Sequence, residues 1–172
     1  KKNSTRTRVA FETAMVNMGG HAIFLSSDST QLSRGENLSD TSKVLSGMVD
    51  IIMVRTHNHD EINQLAKSSS VPVINGLTEK FHPCQLLADM QTYYEEKGSI
   101  EGKQIAWIGD GCNMCNSYIN AAKILNFNLK IATPSGFEPD KATLKLAKDN
   151  VELCDLPGKA VENCDLVTTD VW

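Results

Sequence analysis

Short apolar runs rich in Val and Ile alternate with helical periodicities through all 172 residues, and this alternation fixes what the chain can become. A strand that returns beside its predecessor by way of a helix enters the sheet at the same end. The pair is therefore parallel, and helices cover the sheet faces. Strands are predicted at residues 21–25, 50–54, 71–74, 104–108, 129–132, 151–154 and 166–169. Helices are predicted at 5–18, 41–48, 61–67, 83–97, 113–125 and 140–148, the first closed by Gly19-Gly20 and the fourth by Gly98. The helix from Pro83 has proline where its missing N–H costs nothing, and carries Leu86, Met90 and Tyr93 on one face with Leu87 and Tyr94 beside them. Such a helix can link two sheets. The glycine-flanked segment 98–102 then restarts the strand pattern, which predicts two α/β lobes, residues 1–97 and 98–172.

Composition narrows the function class. A net charge of −4 argues against a nucleic-acid surface, which needs clustered Lys and Arg, and no stretch reads as a membrane span. Any anion bound here is small and locally held. Five cysteines, Cys84, Cys112, Cys115, Cys154 and Cys164, are odd in number and too sparse for a disulfide scaffold, so free thiols in a reducing compartment are expected. The chain opens almost directly on a polar motif and stops at Trp172, and reads as cut at both ends.

That opening motif, Ser4-Thr5-Arg6-Thr7-Arg8, runs into the apolar spacing Phe11, Met15, Met18, which makes it the first turn of a helix. Unpaired N–H groups and the positive end of the helix dipole lie there, and added hydroxyls and guanidinium groups outline a phosphate site. Arg6 and Arg8 point different ways round the helix, so one can hold a ligand while the other holds the protein. In open α/β sheets, ligands bind outside the carboxyl ends of strands. Arg55-Thr56 follows the second predicted strand, His82 with Gln85 the third, residues 110–113 the fourth and Asp170 the last, so four strand ends are expected at one rim.

Together, Ser4-Thr5-Arg6-Thr7-Arg8, Arg55-Thr56, His82-Pro83-Cys84-Gln85, Gly109-Asp110-Gly111 with Asn113, and Thr169-Asp170-Val171-Trp172 resemble the ornithine branch of the aspartate/ornithine carbamoyltransferase family over essentially the whole chain. The resemblance implies two Rossmann-like lobes with parallel sheets flanked by helices, joined by a linking helix. It also implies transfer of a carbamoyl group from carbamoyl phosphate to L-ornithine, giving citrulline, as in arginine biosynthesis or the urea cycle, with no cofactor. Ser4, Thr5, Arg6 and Thr7 would bind the phosphate, Arg55 and His82 the carbonyl oxygen and Gln85 the amide, with Pro83 and Cys84 in the same block. Arg55, His82 and Gln85 are the implied catalytic set. Asn113 and Asp170 would bind the amino-acid end of ornithine. Gln31 resembles the family loop that reaches a neighbouring subunit's site, which implies a homotrimer with shared active sites; the alternative is a polar surface loop. A cytoplasmic location is expected, an organelle remaining open. The family's Ser-Met-Gly and Cys-Leu-Pro segments lie beyond Trp172, and without them weak carbamoyl phosphate binding and little turnover are expected.

Plainer readings stand beside several of these residues. His82 can cap its own helix, and Cys84 can be a small packed hydrophobe. Cys112-x-x-Cys115 lacks a second ligand pair with metal-site spacing, so two incidental thiols are the simpler reading; Cys112 also stands where most relatives have Asn. His57 and His59 read as loop and helix-cap residues, and His21 as structural. Gly109-Asp110-Gly111 lacks the third glycine of a dinucleotide turn, since Met114 takes that place, so no nicotinamide cofactor is expected. The alternatives to ornithine transfer are a carbamoyltransferase for another amine such as putrescine, and a catalytically silent assembly module of the same fold.

Overall fold

Every strand pair in the computed structural model is parallel. The described residues are 4–26 and 35–171. They fall into two units that divide between Thr78 and Glu79.

The first unit contains α1 (Thr5–Asn17), α2 (Leu38–Ser46), β1 (Ile52–Arg55), α3 (His59–Ser68) and β2 (Val73–Leu77). Each helix starts on a polar side chain that accepts a backbone N–H: Ser4 for α1, Asn37 for α2 and Asn58 for α3. Ile62 and Leu65 of α3 are buried, and the Ser42 hydroxyl of α2 donates to the Leu65 carbonyl at 2.8 Å, so α2 and α3 are tied together. β1 and β2 pair from Ile52 opposite Val73 to Val54 opposite Asn75; Arg55 then lies opposite Leu77. Gly76 is thus an extra residue on β2, a β-bulge placed at Arg55. A Cβ on Gly76 would meet Met53 Sδ at 2.6 Å and the Val54 carbonyl oxygen at 3.2 Å, so a side chain there would make the Met53 thioether move and press on the β1 backbone.

One expected strand is absent. Residues 21–25 form no strand, and Ile23, Phe24 and Leu25 are each more than half exposed. A strand exists only through its partner, and no described strand runs beside this segment. α1 likewise buries none of its residues; Val16 and Met18 are mostly exposed.

The second unit contains α4 (Pro83–Lys97), β3 (Gln104–Ile108), α5 (Asn113–Ile124), β4 (Asn128–Ala132), α6 (Lys141–Leu146), β5 (Val151–Leu153), α7 (Pro157–Val161) and β6 (Leu166–Thr168). The sheet order is β5-β4-β3-β6. β3 is central; its Ile105 and Trp107 are fully buried against Met114, Cys115, Tyr118 and Ile119 of α5, and Ala106, on the other face of the strand, is fully buried too. Trp107 and Tyr118 meet with ring centroids 5.6 Å apart, tilted by 46°. Leu86 and Met90 of α4 join this same core, which is why the structural division precedes α4, whereas the sequence reading put it after that helix. α7, not among the helices predicted above, starts with Pro157 at a position where proline is favoured.

Candidate active site

The first unit brings together part of the N-terminal motif and the end of β1. Ser4 caps α1: its Oγ accepts the Thr7 N–H at 3.2 Å and donates to Thr7 Oγ1 at 2.9 Å. Arg55 Nη1 donates to the same Thr7 oxygen at 3.0 Å. Thr7 Oγ1 accepts from both neighbours, which leaves its own proton to donate outward. The bulge at Gly76 sits at Arg55, where a bend in the strand re-aims a side chain.

Arg6 and Arg8 divide as the helix geometry requires. Arg8 Nε bonds Glu12 Oε1 at 2.7 Å, and its guanidinium stacks on Phe24 at 3.8 Å from the ring centre, so Arg8 holds the protein. Arg6 is exposed and has no partner among the described residues. The first turn of α1 carries no acidic residue. A cation at the positive end of a helix opposes the dipole by roughly 0.3–1 kcal/mol, a cost that a bound anion removes.

In the second unit, His82 stands at the N-cap of α4, and its side chain does not cap that helix. Its backbone N–H donates to the buried Ser117 Oγ at 2.8 Å, and Ser117 Oγ donates in turn to the Asn113 carbonyl at 2.7 Å. One hydroxyl therefore joins the His82 block to the start of α5. Buried Asn116 adds two ties: its Nδ2 donates to the Lys80 carbonyl at 3.2 Å, and its Oδ1 accepts the Asp140 N–H at 3.0 Å. Lys80 Nζ lies 3.3 Å from Asp140 Oδ1. Asp140 also accepts the Thr143 hydroxyl and N–H, and these bonds, the Thr143 hydroxyl foremost, lower its pKa from the ordinary carboxylate value. Cys84 is half-buried. Gln85 is exposed, and its Nε2 donates to Asp89 Oδ1 at 2.9 Å, while the Tyr118 hydroxyl donates to Asp89 Oδ2 at 3.0 Å.

β3 is also where the strand order reverses, since β4 and β5 extend the sheet to one side and β6 to the other. The crevice outside such a switch point is where open α/β sheets bind ligands. The turn from β3 to α5 and the segment after β6 leave the sheet there side by side, with Cys112 Sγ 3.9 Å from Asp170 Oδ2. The Trp107 indole N–H donates to the Asp110 carbonyl at 3.0 Å and fixes the turn from below. Gly111 lets residues 137–139 cross the turn: a Cβ there would meet Pro139 N, the Glu138 carbonyl carbon and the Phe137 oxygen at 2.3–2.6 Å. Burial, with Asp170 and Asp110 adding to it, raises the Cys112 pKa above the usual thiol value. This is opposite to the environment of a reactive thiolate. Cys115 is buried in the core with its pKa raised for the same first reason, and all five cysteines are free thiols. Among the described residues no cluster of three His, Cys, Asp or Glu side chains is placed to hold a metal ion. No described helix is long and apolar enough to cross a membrane.

The structure thus joins Ser4, Thr7 and Arg55 in one unit. In the other it joins His82 to Asn113 through Ser117, and Cys112 to Asp170 directly. Thr5 is exposed beside Arg6 on the opening turn of α1, and Gln31 lies outside the described residues. Sequence reasoning missed Ser117, Asn116 and Asp89. A signal existed for the first two, which are polar residues inside the run 114–119 of α5, buried throughout.

The carbamoyl-P binding domain model of the aspartate/ornithine carbamoyltransferases matches residues 1–95, and their Asp/Orn binding domain model matches residues 101–172. The chain is 56% identical over its full length to the ornithine carbamoyltransferase of Nitrosococcus oceani and 55% identical to that of Pseudomonas syringae pv. tomato, covering 57% and 56% of those proteins. It spans little more than half the length of the curated relatives it matches. Among solved structures, ornithine carbamoyltransferase from Burkholderia thailandensis superposes with a TM-score of 0.94 at 50% identity, over 100% of this chain and 60% of that one. That from Pyrococcus furiosus gives 0.93 at 47% identity, over 99% of this chain and 57% of that one. Both domain models match in order and between them span nearly all of the sequence, so the chain belongs to the aspartate/ornithine carbamoyltransferase family.

Proposed function

We propose that the protein containing this chain transfers the carbamoyl group of carbamoyl phosphate to the side-chain amine of L-ornithine, giving L-citrulline and phosphate. The observation that carries this reading is the anchoring of Arg55 on Thr7 Oγ1 at the capped N-terminus of α1, which couples a carbonyl-directed guanidinium to a phosphate-directed helix turn. Ser4, Thr5, Arg6 and Thr7 hold the phosphate. Arg55 and His82 donate to the carbonyl oxygen, and Gln85 meets the carbamoyl –NH2. Asn113 and Asp170 hold the amino-acid end of ornithine, Asp170 facing its ammonium.

The chemistry follows from those roles. The amine nitrogen attacks the carbamoyl carbon, the carbonyl electrons move onto oxygen, and the resulting oxyanion is what Arg55 and His82 stabilise beyond the ground state. Collapse breaks the bond to the phosphate oxygen and releases phosphate. A free alkyl amine has a pKa of about 10.4, so the nucleophile loses a proton first, and the departing phosphate is the base at hand.

The reading extends to a carbamoyl phosphate lobe at 1–97 and an ornithine lobe at 98–172, and to a homotrimer in which Gln31 completes a neighbour's site. It extends further to a cytoplasmic step of arginine biosynthesis. The deciding measurement is citrulline formation from carbamoyl phosphate and ornithine by the full-length protein, beside aspartate and putrescine. Arg55→Ala should lower the rate roughly 100- to 1,000-fold, as loss of one oxyanion donor does elsewhere. Product from aspartate or putrescine in preference to ornithine overturns the substrate assignment. No product from any amine favours the silent module.

A further inference from the structure

Gln85, an implied carbamoyl phosphate ligand, has two ends that differ in hydrogen-bonding sense, since its amide nitrogen donates and its oxygen accepts. In the structure Nε2 is committed to Asp89 Oδ1 at 2.9 Å. Asp89 is in turn anchored, because the Tyr118 hydroxyl donates to Oδ2 at 3.0 Å and also bonds the Thr168 side chain of β6. Tyr118 is fully buried and packed on Trp107, so the far end of this relay cannot turn.

We propose that Asp89, held by Tyr118, is a positioning residue that fixes the flip state of the Gln85 amide so that its oxygen, not its nitrogen, faces the carbamoyl –NH2. The proposal rests on the carbamoyl phosphate reading above. Carboxylate oxygens accept and do not donate, so Gln85 turns its –NH2 toward Asp89 and is left with an acceptor to present. The carbamoyl –NH2 is a donor on the substrate, and only an acceptor satisfies it. A Gln85 flipped the other way would set donor against donor and leave both groups unpaired, which costs more than a missing bond. The relay thereby selects carbamoyl phosphate over acyl phosphates that carry a methyl in place of the –NH2.

The test compares binding of carbamoyl phosphate and acetyl phosphate to the full-length protein and to two variants of it. In Asp89→Asn the introduced amide keeps Asp89's shape and still accepts from Tyr118 through its oxygen, so its –NH2 faces Gln85 and turns the Gln85 oxygen away from the substrate. The preference for carbamoyl over acetyl phosphate should fall about tenfold, the size of one hydrogen bond, while the acetyl phosphate dissociation constant changes less than twofold. Tyr118→Phe, which releases Asp89 without altering its charge, should give a smaller loss in the same ratio. Asp89→Asn with an unchanged ratio, or with both constants weakened in parallel, overturns the proposal. Wild-type protein that shows no preference for carbamoyl phosphate overturns the substrate reading, and the proposal with it.

Discussion

Replacing Ser117 by alanine removes one oxygen atom and tests how far the His82 block depends on α5. The Ser117 hydroxyl accepts the His82 N–H at 2.8 Å and donates to the Asn113 carbonyl at 2.7 Å. The Asn113 carbonyl is also placed to accept within the helix, so its loss is small. The His82 N–H loses its acceptor, and an orphaned backbone donor costs about 1–3 kcal/mol. Ser117 is 3% exposed, and losing one oxygen from so tight a site adds little cavity. A destabilisation of about 2 kcal/mol corresponds to a Tm fall of roughly 8–16 °C for a unit of this size. Calorimetry measures the first quantity. Amide hydrogen exchange at His82 measures the local one, and its protection should be the first in this segment to fall. If His82 also shifts by about 1 Å, turnover should drop up to roughly 100-fold. A variant within 0.5 kcal/mol of wild type, with His82 exchange unchanged, would refute the claim that this hydroxyl carries the segment.

Gly111→Ala should destabilise the second unit by about 3 kcal/mol or more, since the new methyl meets backbone atoms at 2.3–2.6 Å that no rotamer can clear; chemical denaturation measures it. Cys112, its pKa raised by burial and by Asp170, should alkylate with iodoacetamide more slowly than an unhindered thiol at pH 8, and Asp170→Asn should speed it. Asp140 has a lowered pKa in the folded chain, so its contribution to stability is present above the ordinary value of 3.8 and is lost as pH falls through the lowered one. Asp140→Asn should flatten that acid limb in urea titrations followed by tryptophan fluorescence.

β3 and α4 were legible in the sequence to the residue, because an apolar run between polar ends fixes the strand, and Pro83 and Gly98 punctuate the helix. α2 begins three residues before the predicted start because Asn37 supplies a cap that periodicity does not register. Residues 21–25 have a strand's composition but no ladder, and composition does not specify a partner. The placement of Arg55, Asp110 and Asp170 at or just beyond strand ends was legible, because each follows an apolar run. The partners of Asp89, Ser117 and Asn116 were not, because each bonds a residue outside its own element: Asp89 with Tyr118, Ser117 with His82, Asn116 with Lys80 and Asp140. Single-sequence spacing carries no information on such pairings.

The bulge in β2 also constrains how this part of the chain can be edited. Excising Gly76 would set Asn75 and Leu77 in a regular ladder opposite Val54 and Arg55, so Leu77, 5% exposed, would keep its face while the bend at Arg55 would be lost. Arg55 would then face an unbroken ladder with its guanidinium aimed elsewhere. For anyone transplanting this half-site into a simpler scaffold, the two parallel strands and the α3 crossover between them travel as one cassette with the extra residue intact, and an unbulged ladder would deliver the arginine to the wrong address.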